Sequence, residues 1–294
     1  MGESKANPPT SPFGKGGLSS APPFGKGGLG GISLYAAVGW LVAVLICTAM
    51  VPFWPLPFSP DQLDSEQLAA LPGGSHLLGT DAMGRDIMTQ LLFGARVSLT
   101  VGVCAPLLGL AVGLMFGMPA AFYRGWCERV IMTCADVILA FPGLIFLLVF
   151  TSLIGPSLTT ITLGLGLLTA PRFIRVVRAG TLQFSQREFV QAARISGVRD
   201  SAILLGEILP NIVGPLSAYT LIVAGFVIIA EGGLGFLGLS VPSPTPSWGG
   251  MIASGRDVLE QTPHVAMIPM AVMFLTVLSV NLVGDRLRGR YERN

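Results

Sequence analysis

One stretch of this chain constrains its fold more than any other feature: residues 137–171 contain no charged side chain. A helix needs about 20 apolar residues to cross the hydrocarbon core of a bilayer. The run is too long for one such helix, and Gly155, Pro156 and Ser157 interrupt it, as expected for a turn. The run therefore predicts two consecutive membrane-spanning helices.

The composition of the whole chain also indicates that the protein is embedded in a lipid bilayer. Of its 294 residues, 51% are hydrophobic and only 12% are charged, with a mean hydropathy of +0.69. A soluble domain carries about 25% charged residues, so this chain has too few charges to cover a soluble surface. The net charge is +2 and no basic run is present, which argues against nucleic-acid binding.

Uncharged runs predict an all-α, polytopic membrane protein with six transmembrane helices. The predicted spans are 34–52, 97–122, 130–154, 158–174, 212–230 and 265–283. The predicted organisation is a tail (1–31), a first transmembrane helix (32–54), an extracytoplasmic loop (55–96), a five-helix core (97–288) with a cytoplasmic loop at 181–210, and a tail (289–294). The first tail repeats the sequence PFGKGGL; we expect a disordered, inert extension, with a functional tail as the alternative.

The basic residues predict which side of the membrane each loop occupies, because cytoplasmic loops carry an excess of Lys and Arg. With a cytoplasmic N-terminus, 15 of the 18 Lys and Arg residues fall inside, and only Arg85, Arg96 and Arg256 remain outside. We therefore expect both termini in the cytoplasm. Trp54 and Trp248 lie in the outer loops, where they would suit the membrane interface.

The chain offers few candidates for catalysis or metal binding. Its cysteines, Cys47, Cys104, Cys127 and Cys134, form no CxxC pair, and His76 and His264 have no ligand-like neighbours. We expect free thiols, no metal and no cofactor. No GxxxxGK[ST] motif is present, so the chain is not expected to bind ATP or to be an enzyme.

Residues 172–211 form the largest predicted cytoplasmic segment between spans. Arg172, Arg175 and Arg178 recur on one helical face where span four is expected to leave the membrane. Gly197 is expected to interrupt the helix that follows, and Pro210 to end the segment. Two interpretations remain open from the residues alone: a helix that docks into a groove of another protein, or an amphipathic loop on lipid headgroups.

Span two carries glycines at helical spacings, namely Gly102, Gly109, Gly113 and Gly117. Small residues at such spacings let helices approach closely. They predict a packing seam, either within this chain or with a second subunit. Pro119, Pro142 and Pro171 interrupt helical runs and are expected to kink them. The kinks could act as hinges during transport or could simply give the helices a fixed bent shape.

Asp136 is an ionisable residue inside span three, about two turns from its cytoplasmic end. Such a group is costly in a membrane and must face the bundle or a partner. Asp136 is either a polar group that lines a pore or a structural residue paired with Arg172 or Arg129. The structural interpretation is the one we favour.

Three segments resemble the binding-protein-dependent ABC permeases of the dipeptide/oligopeptide/nickel class. Gln191-Ala192-Ala193, followed by Gly197 and by Ile208-Leu209-Pro210, resembles the EAA loop of that family. Residues 78–86 (LGTDAMGRD) with 94–99, and residues 231–252, resemble motifs of the same class. The resemblance covers about residues 77–288, and it departs from the family where Gln191 replaces the usual Glu.

The resemblance implies a type I importer (MetI-like) permease bundle in the inner membrane. It implies four kinds of partner: a second homologous permease, two cytoplasmic ATPase subunits that bind the ATP, an extracytoplasmic solute-binding protein, and the lipid bilayer. The implied ATPase-coupling residues are Glu188, Gln191, Ala192, Ala193, Gly197, Asp200 and Pro210. The outer motif comprises Gly79, Thr80, Asp81, Gly84, Arg85, Asp86 and Arg96, and the outer gate or loop comprises Glu231, Gly235, Gly238, Trp248 and Gly249.

No residue decides the cargo. Di- and oligopeptides are expected as the commonest class, with nickel or glutathione-like molecules as the alternative. A secondary transporter driven by an ion gradient would need more polar groups near mid-membrane than Asp136. A membrane enzyme would need clustered catalytic groups, which the sequence does not show.

Overall fold

The computed structural model describes residues 29–53, 57–242 and 244–291. The helices in order are α1 (Leu29–Met50), α2 (Ile87–Tyr123), α3 (Gly125–Ala140), α4 (Gly143–Ile154), α5 (Leu158–Ser185), α6 (Glu188–Ile195), α7 (Asp200–Ala202), α8 (Leu209–Phe236), α9 (Trp248–Gly255) and α10 (His264–Tyr291). A π-helical turn (Ile203–Ile208) joins α7 to α8, and a 3₁₀ turn (Arg256–Val258) follows α9. Within the described ranges no β-strand occurs, only isolated bridges in the outer loop. The fold is all-α, as predicted.

Five helical segments are long and apolar enough to cross a membrane, and a sixth crossing results if α3 and α4 count together. The predicted span 130–154 is broken into two helices, because α3 and α4 meet at an angle of 88°, which is a sharper bend than the kink expected at Pro142. The break falls at Phe141 and Pro142, where Phe141 is extended (φ −80°, ψ 134°). A residue before proline is disfavoured in the helical region, which explains the position of the elbow.

Two predicted boundaries move because helices extend beyond the uncharged runs. The helix α2 begins at Ile87, so residues 87–96 of the predicted outer loop are helical, and the Asp86 side chain caps them by accepting from the Thr89 N–H at 2.8 Å. The helix α5 continues to Ser185, eleven residues past the predicted end at 174. Within the predicted tail 1–31, α1 already begins at Leu29; the repeat before it and Trp54 lie outside the described residues.

Pro210 does not end a helix, contrary to the prediction. The chain stays helical from Asp200 to Phe236. Proline normally clashes with the carbonyl four residues earlier. Here the preceding π turn changes the hydrogen bonding, and the Leu209 N–H donates to the Leu204 carbonyl, five residues back. The wider turn accommodates the proline ring.

The predicted glycine seam is confirmed within this chain. A Cβ placed on Gly113 would lie 2.6 Å from the Cβ of Phe173, and one on Gly117 would lie 2.7 Å from the Ile174 carbonyl oxygen, so α2 and α5 approach at backbone distance. Further out, Gly102 packs in the same way against Ile228 of α8. Pro119 and Pro171 lie inside these continuous helices, so of the three prolines Pro142 marks the sharp bend.

The buried apolar side chains form three clusters stacked along the bundle. The outer cluster joins the start of α2 to α9 and α10 and includes Ile87 and Trp248. The central cluster joins α2, α4, α5 and α8. The inner cluster packs Val190 of α6 and Ile203 of the π turn beneath the ends of α2 and α5. The bundle therefore holds a folded layer at each end.

Candidate functional site

One end of the bundle carries the coupling segment, which we define as residues 187–205 and which the distribution of basic residues predicts to be cytoplasmic. Its helix α6 buries one side chain, Val190, in the inner cluster, and Ala193 packs partly against the same cluster. The Arg194 guanidinium also lies 4.4 Å from the ring centroid of Phe122, at the end of α2. A few contacts thus hold α6 against the bundle and leave the rest of its surface free.

Gly197 ends α6 as the sequence predicts. Its φ is +77°, a left-handed conformation that glycine adopts without a Cβ penalty. The Gly197 N–H donates to the Arg194 carbonyl at 3.0 Å, and the Val198 N–H donates to the Ala193 carbonyl at 3.1 Å. These two bonds form a Schellman motif. A Cβ on Gly197 would meet no atom within 4 Å, so the turn faces open space.

Large apolar side chains project from the coupling segment. Ile195 is 89% exposed, and Phe189, Val198 and Leu205 are exposed as well. Charged residues flank them on the same short segment, which is not the composition of a lipid-facing span. An apolar patch with a polar rim marks a docking surface. The remaining predicted coupling residues are accessible: Glu188, Gln191, Ala192, Asp200 and Pro210 are all exposed.

The outer motif is organised around Asp81, which is 3% exposed. Its carboxylate accepts hydrogen bonds from the backbone N–H groups of Met83 and Arg85 at 2.8 and 2.9 Å. It also accepts from Nε of Arg85 and Nε2 of Gln90, both at 2.8 Å. One buried carboxylate therefore folds its own loop and ties that loop to the first turn of α2.

The other members of the motif shape the same loop. Thr80 is fully buried, donates to the Gln67 carbonyl, and accepts from the Ala70 N–H at 2.8 Å. Gly79 and Gly84 have φ of +81° and +79°, and a Cβ on either would collide with neighbouring backbone oxygen. These residues form one cluster.

Asp86 connects this cluster to a buried histidine. Besides capping α2, it accepts from Nδ1 of His76 at 2.9 Å, and Phe58 stacks on the His76 ring at 4.3 Å. Arg96 does not join the cluster; it is exposed on α2, ten residues further along. The outer motif is thus a network of hydrogen bonds that stabilises the loop before α2 and extends to Gln90. Arg96 is not part of it.

The predicted outer gate residues lie in a packed junction of α2, α8 and α9. Glu231 of α8 is fully buried and accepts from Ser98 Oγ at 3.0 Å and Ser240 Oγ at 2.8 Å. Ser98 in turn accepts from the backbone N–H of Trp248 at 3.2 Å. Trp248 itself is buried, with its indole N–H donating to the Leu91 carbonyl at 3.1 Å, so the prediction that it lies at the membrane interface is wrong.

Glycines complete this outer junction. A Cβ on Gly235 would lie 2.7 Å from the backbone of Gly249, and one on Gly249 would lie 2.6 Å from Gly232. Gly238, with φ of +74°, ends α8 in a second Schellman motif. The close approach of α9 to α8 depends on these residues. A role in gating stays a prediction.

Sequence reasoning missed several residues of these networks: Ser98, Ser240, His76 and Gln90. Ser98 and Glu231 are 133 positions apart, and no local spacing relates them. The rule that a buried polar group needs a partner predicts that Glu231 has donors, but it does not say which residues provide them.

Near the centre of the bundle, Asp136 of α3 pairs with Arg175 of α5 at 2.5 Å. The predicted partners, Arg172 and Arg129, are therefore wrong. Arg178, three residues further along α5, pairs with Glu128 of α3. The two ion pairs hold α3 against α5, yet Asp136 is 57% and Arg175 50% exposed.

The comparison with known proteins bears on this arrangement directly. The profile of the family described as "binding-protein-dependent transport system inner membrane component" matches residues 109–294. The chain belongs to that family. The matched part of this permease includes the coupling segment and the α8 and α9 parts of the outer junction, and leaves out α1, the Asp81 loop and Ser98.

Curated relatives extend the similarity to most of the permease. A glutathione transport system permease protein of Pectobacterium atrosepticum is 36% identical over 253 residues, covering 86% of this chain and 84% of that protein. The protein of the same name from Escherichia coli O157:H7 is 38% identical over 248 residues, covering 84% and 82%. The resemblance to ABC permeases of the peptide class is thereby confirmed.

The fold agrees with that of a solved importer. An inward-facing structure of the MetNI methionine ABC transporter matches with a TM-score of 0.59 and 16% identity, covering 70% of this chain and 97% of that chain. At this identity the match shows the fold alone. It confirms the predicted type I importer (MetI-like) bundle. The chain is a multi-pass permease subunit of an ABC importer.

Proposed function

We propose that this permease carries small peptides, including glutathione-like peptides, inward across the inner membrane. It would pair with a second permease, so that the two bundles enclose the path. Two cytoplasmic ATPases would hydrolyse the ATP, and an extracytoplasmic binding protein would deliver the cargo. The names of the relatives support the cargo class, since glutathione is itself a small peptide.

The exposed apolar patch of the coupling segment is the observation that carries this proposal. Phe189, Ile195 and Val198 are exposed on a short helix and turn that packs against the bundle through Val190, Ala193 and Arg194. A surface of this kind is stabilised when a partner buries it. A groove on a cytoplasmic ATPase is the partner that the family resemblance implies.

The orientation follows from the distribution of charge. The coupling segment holds Arg187, Arg194 and Arg199, and an excess of arginines favours the cytoplasmic side. This supports a coupling segment on the side of the ATPases and an Asp81 loop on the side of the binding protein. Both termini then lie in the cytoplasm.

A continuous helix links the two ends of the permease. From Asp200 to Phe236 it has 37 residues, and at 1.5 Å per residue it is about 55 Å long. One end belongs to the coupling segment, and the other contains Glu231 in the outer junction. We propose that ATP binding moves residues 187–205 as a rigid lever and that this helix transmits the movement outward.

The test is a bulky substitution at the turn that ends α6. In Gly197→Trp the indole would project into open space, so the permease should still insert and fold while the ATPases no longer dock. Copurification of the ATPases from detergent should fall by about tenfold or more, which corresponds to about 1.4 kcal/mol of lost docking free energy.

Gly125→Trp is the matched control. Gly125 also has a positive φ, +61°, and open space around its Cβ position, but it is the first residue of α3 and lies outside the coupling segment. Its ATPase content should match the wild type. Full copurification and transport by Gly197→Trp would show that the coupling assignment is wrong.

A further inference from the structure

Arg172 lies near the middle of the bundle, although the sequence places it where span four leaves the membrane. The Cβ and backbone of its neighbour Phe173 lie against Gly113 of α2, and the Phe173 ring reaches Gly109. Gly109 is at the midpoint of the apolar run 97–122. The helix α5 continues for 13 residues after Arg172, to Ser185. Arg172 therefore lies within the membrane-spanning part of α5, about one helical turn from the midpoint of that run.

The surroundings of Arg172 are aromatic. Its guanidinium carbon lies 5.0 Å from the ring centroid of Phe226 on α8, and Tyr219 lies close enough to interact with its charge. In the described part of the chain no carboxylate forms an ion pair with Arg172, whereas Arg175 and Arg178 on the same helix are both paired. A cation–π contact occupies the face of the guanidinium and leaves its N–H donors available.

The face that carries Arg172 is not suited to lipid. Arg172 is exposed. In the Asp136–Arg175 pair, the side chain of Asp136 is 57% exposed and that of Arg175 is 50% exposed. Ionisable groups at membrane depth face a water-filled cavity or a protein partner because lipid contact is costly. This face of α3, α5 and α8 therefore borders the path between permeases.

We propose that Arg172 binds a carboxylate of the transported molecule as it crosses the membrane. The inference rests on the proposed function and adds a chemical requirement to it, a free carboxylate on the cargo. The planar guanidinium fork matches a carboxylate with two parallel hydrogen bonds. Among the described residues, Asp136 pairs with Arg175 at 2.5 Å and not with Arg172.

The experiment uses the complete importer in proteoliposomes, with both permeases, the ATPases and the binding protein. The probes are a tripeptide and its C-terminal amide, each at a concentration that saturates the binding protein. The variant Arg172→Gln should lower uptake of the tripeptide by about tenfold, the loss of about one charge-assisted hydrogen bond. Arg172→Lys keeps the positive charge but loses the planar fork, so its tripeptide uptake should lie between that of Arg172→Gln and that of the wild type.

The amide separates carboxylate binding from a general need for charge. Wild-type importer should prefer the acid over the amide, and Arg172→Gln should transport both at similar rates. The control is Arg256→Gln, which removes a guanidinium 5.3 Å from the Phe236 ring but lies in the outer loop. Its uptake and preference should match those of the wild type.

Three results would overturn the inference. They are tripeptide uptake by Arg172→Gln within twofold of the wild type, an unchanged preference for the acid, or loss of the partner permease from the purified Arg172→Gln complex. The last result would show that Arg172 pairs with a partner subunit instead. If the wild-type complex shows no ATP-dependent uptake at all, the proposed function itself fails, and the two failures are thereby distinguished.

Discussion

The outer cap, comprising residues 57–86 with α9, and the coupling segment differ in which side chains they bury. In and beside the outer cap the carboxylates of Asp81 and Glu231 are buried, and each receives several hydrogen bonds from this chain. The coupling segment buries Val190 and leaves Phe189 and Ile195 exposed. The outer cap satisfies its buried carboxylates within one chain, although Leu71 and Leu77 are exposed on it, whereas the coupling segment has no such buried polar network among the described contacts.

The largest expected effect follows from removing the central carboxylate of the outer cap. Asp81→Ala leaves Arg85 and Gln90 without their acceptor, and an uncompensated buried charge costs about 3–5 kcal/mol. We expect a large drop in melting temperature in detergent and in the yield of monodisperse protein. Asp61→Ala, at an exposed position of the same loop, is the control. Equal stability of the two variants would contradict the self-contained outer cap.

A matched pair of glycine substitutions sharpens the same comparison. Gly84 and Gly197 have nearly the same φ, +79° and +77°, so alanine costs a similar backbone strain of about 1–2 kcal/mol at each. At Gly84 the added Cβ also collides with the backbone of Asp64, and overpacking costs about 1–3 kcal/mol more.

The measurement is thermal unfolding of Gly84→Ala and Gly197→Ala side by side. Gly84→Ala should be clearly the less stable of the two. If Gly197→Ala unfolds at the lower temperature, the coupling segment is packed more tightly than its open surroundings indicate, and the contrast between the two ends is lost.

The smallest expected effect on stability concerns the exposed patch itself. Ile195 is 89% exposed, so Ile195→Asp should change the free energy of unfolding by less than about 0.5 kcal/mol. Binding of the ATPases should nevertheless weaken, since a carboxylate would be buried in their groove. Ala193→Asp is a poorer probe because Ala193 packs partly against the inner cluster. Normal ATPase content in the Ile195→Asp complex would contradict docking through this face.

The membrane-spanning segments could be predicted from the sequence because long runs without charge indicate contact with lipid rather than with water. The spans at α1, α5, α8 and α10 follow from this rule. It does not report backbone geometry, and for that reason it missed the 88° elbow at Phe141 and Pro142 and the helical path through Pro210. Both depend on which backbone donors remain paired, and hydropathy does not measure that.

In the candidate site too, features that depend on local sequence could be predicted, and features that depend on how helices pack could not. Gly197 could be placed because a glycine after a short helix is a local signal for its end. The donors to Glu231 could not, because Ser98 is 133 positions away and becomes a neighbour only when α2 packs on α8. The pairing of Asp136 was predicted in kind but not in partner, since the choice among Arg129, Arg172 and Arg175 depends on the elbow between α3 and α4.

The π turn at Ile203–Ile208 determines the direction in which the preceding segment, including α6, projects from the axis of α8. An α-helix rotates by about 100° for each residue, and a π turn contains more residues per turn than an α-helix. Deleting one residue here would restore regular winding and swing α6 about 100° around the axis of α8. The hydrophobic face of α6 would then point in another direction with its own sequence unchanged. Spacing between Gly197 and Pro210 is thus as much a part of the recognition surface as the side chains on it.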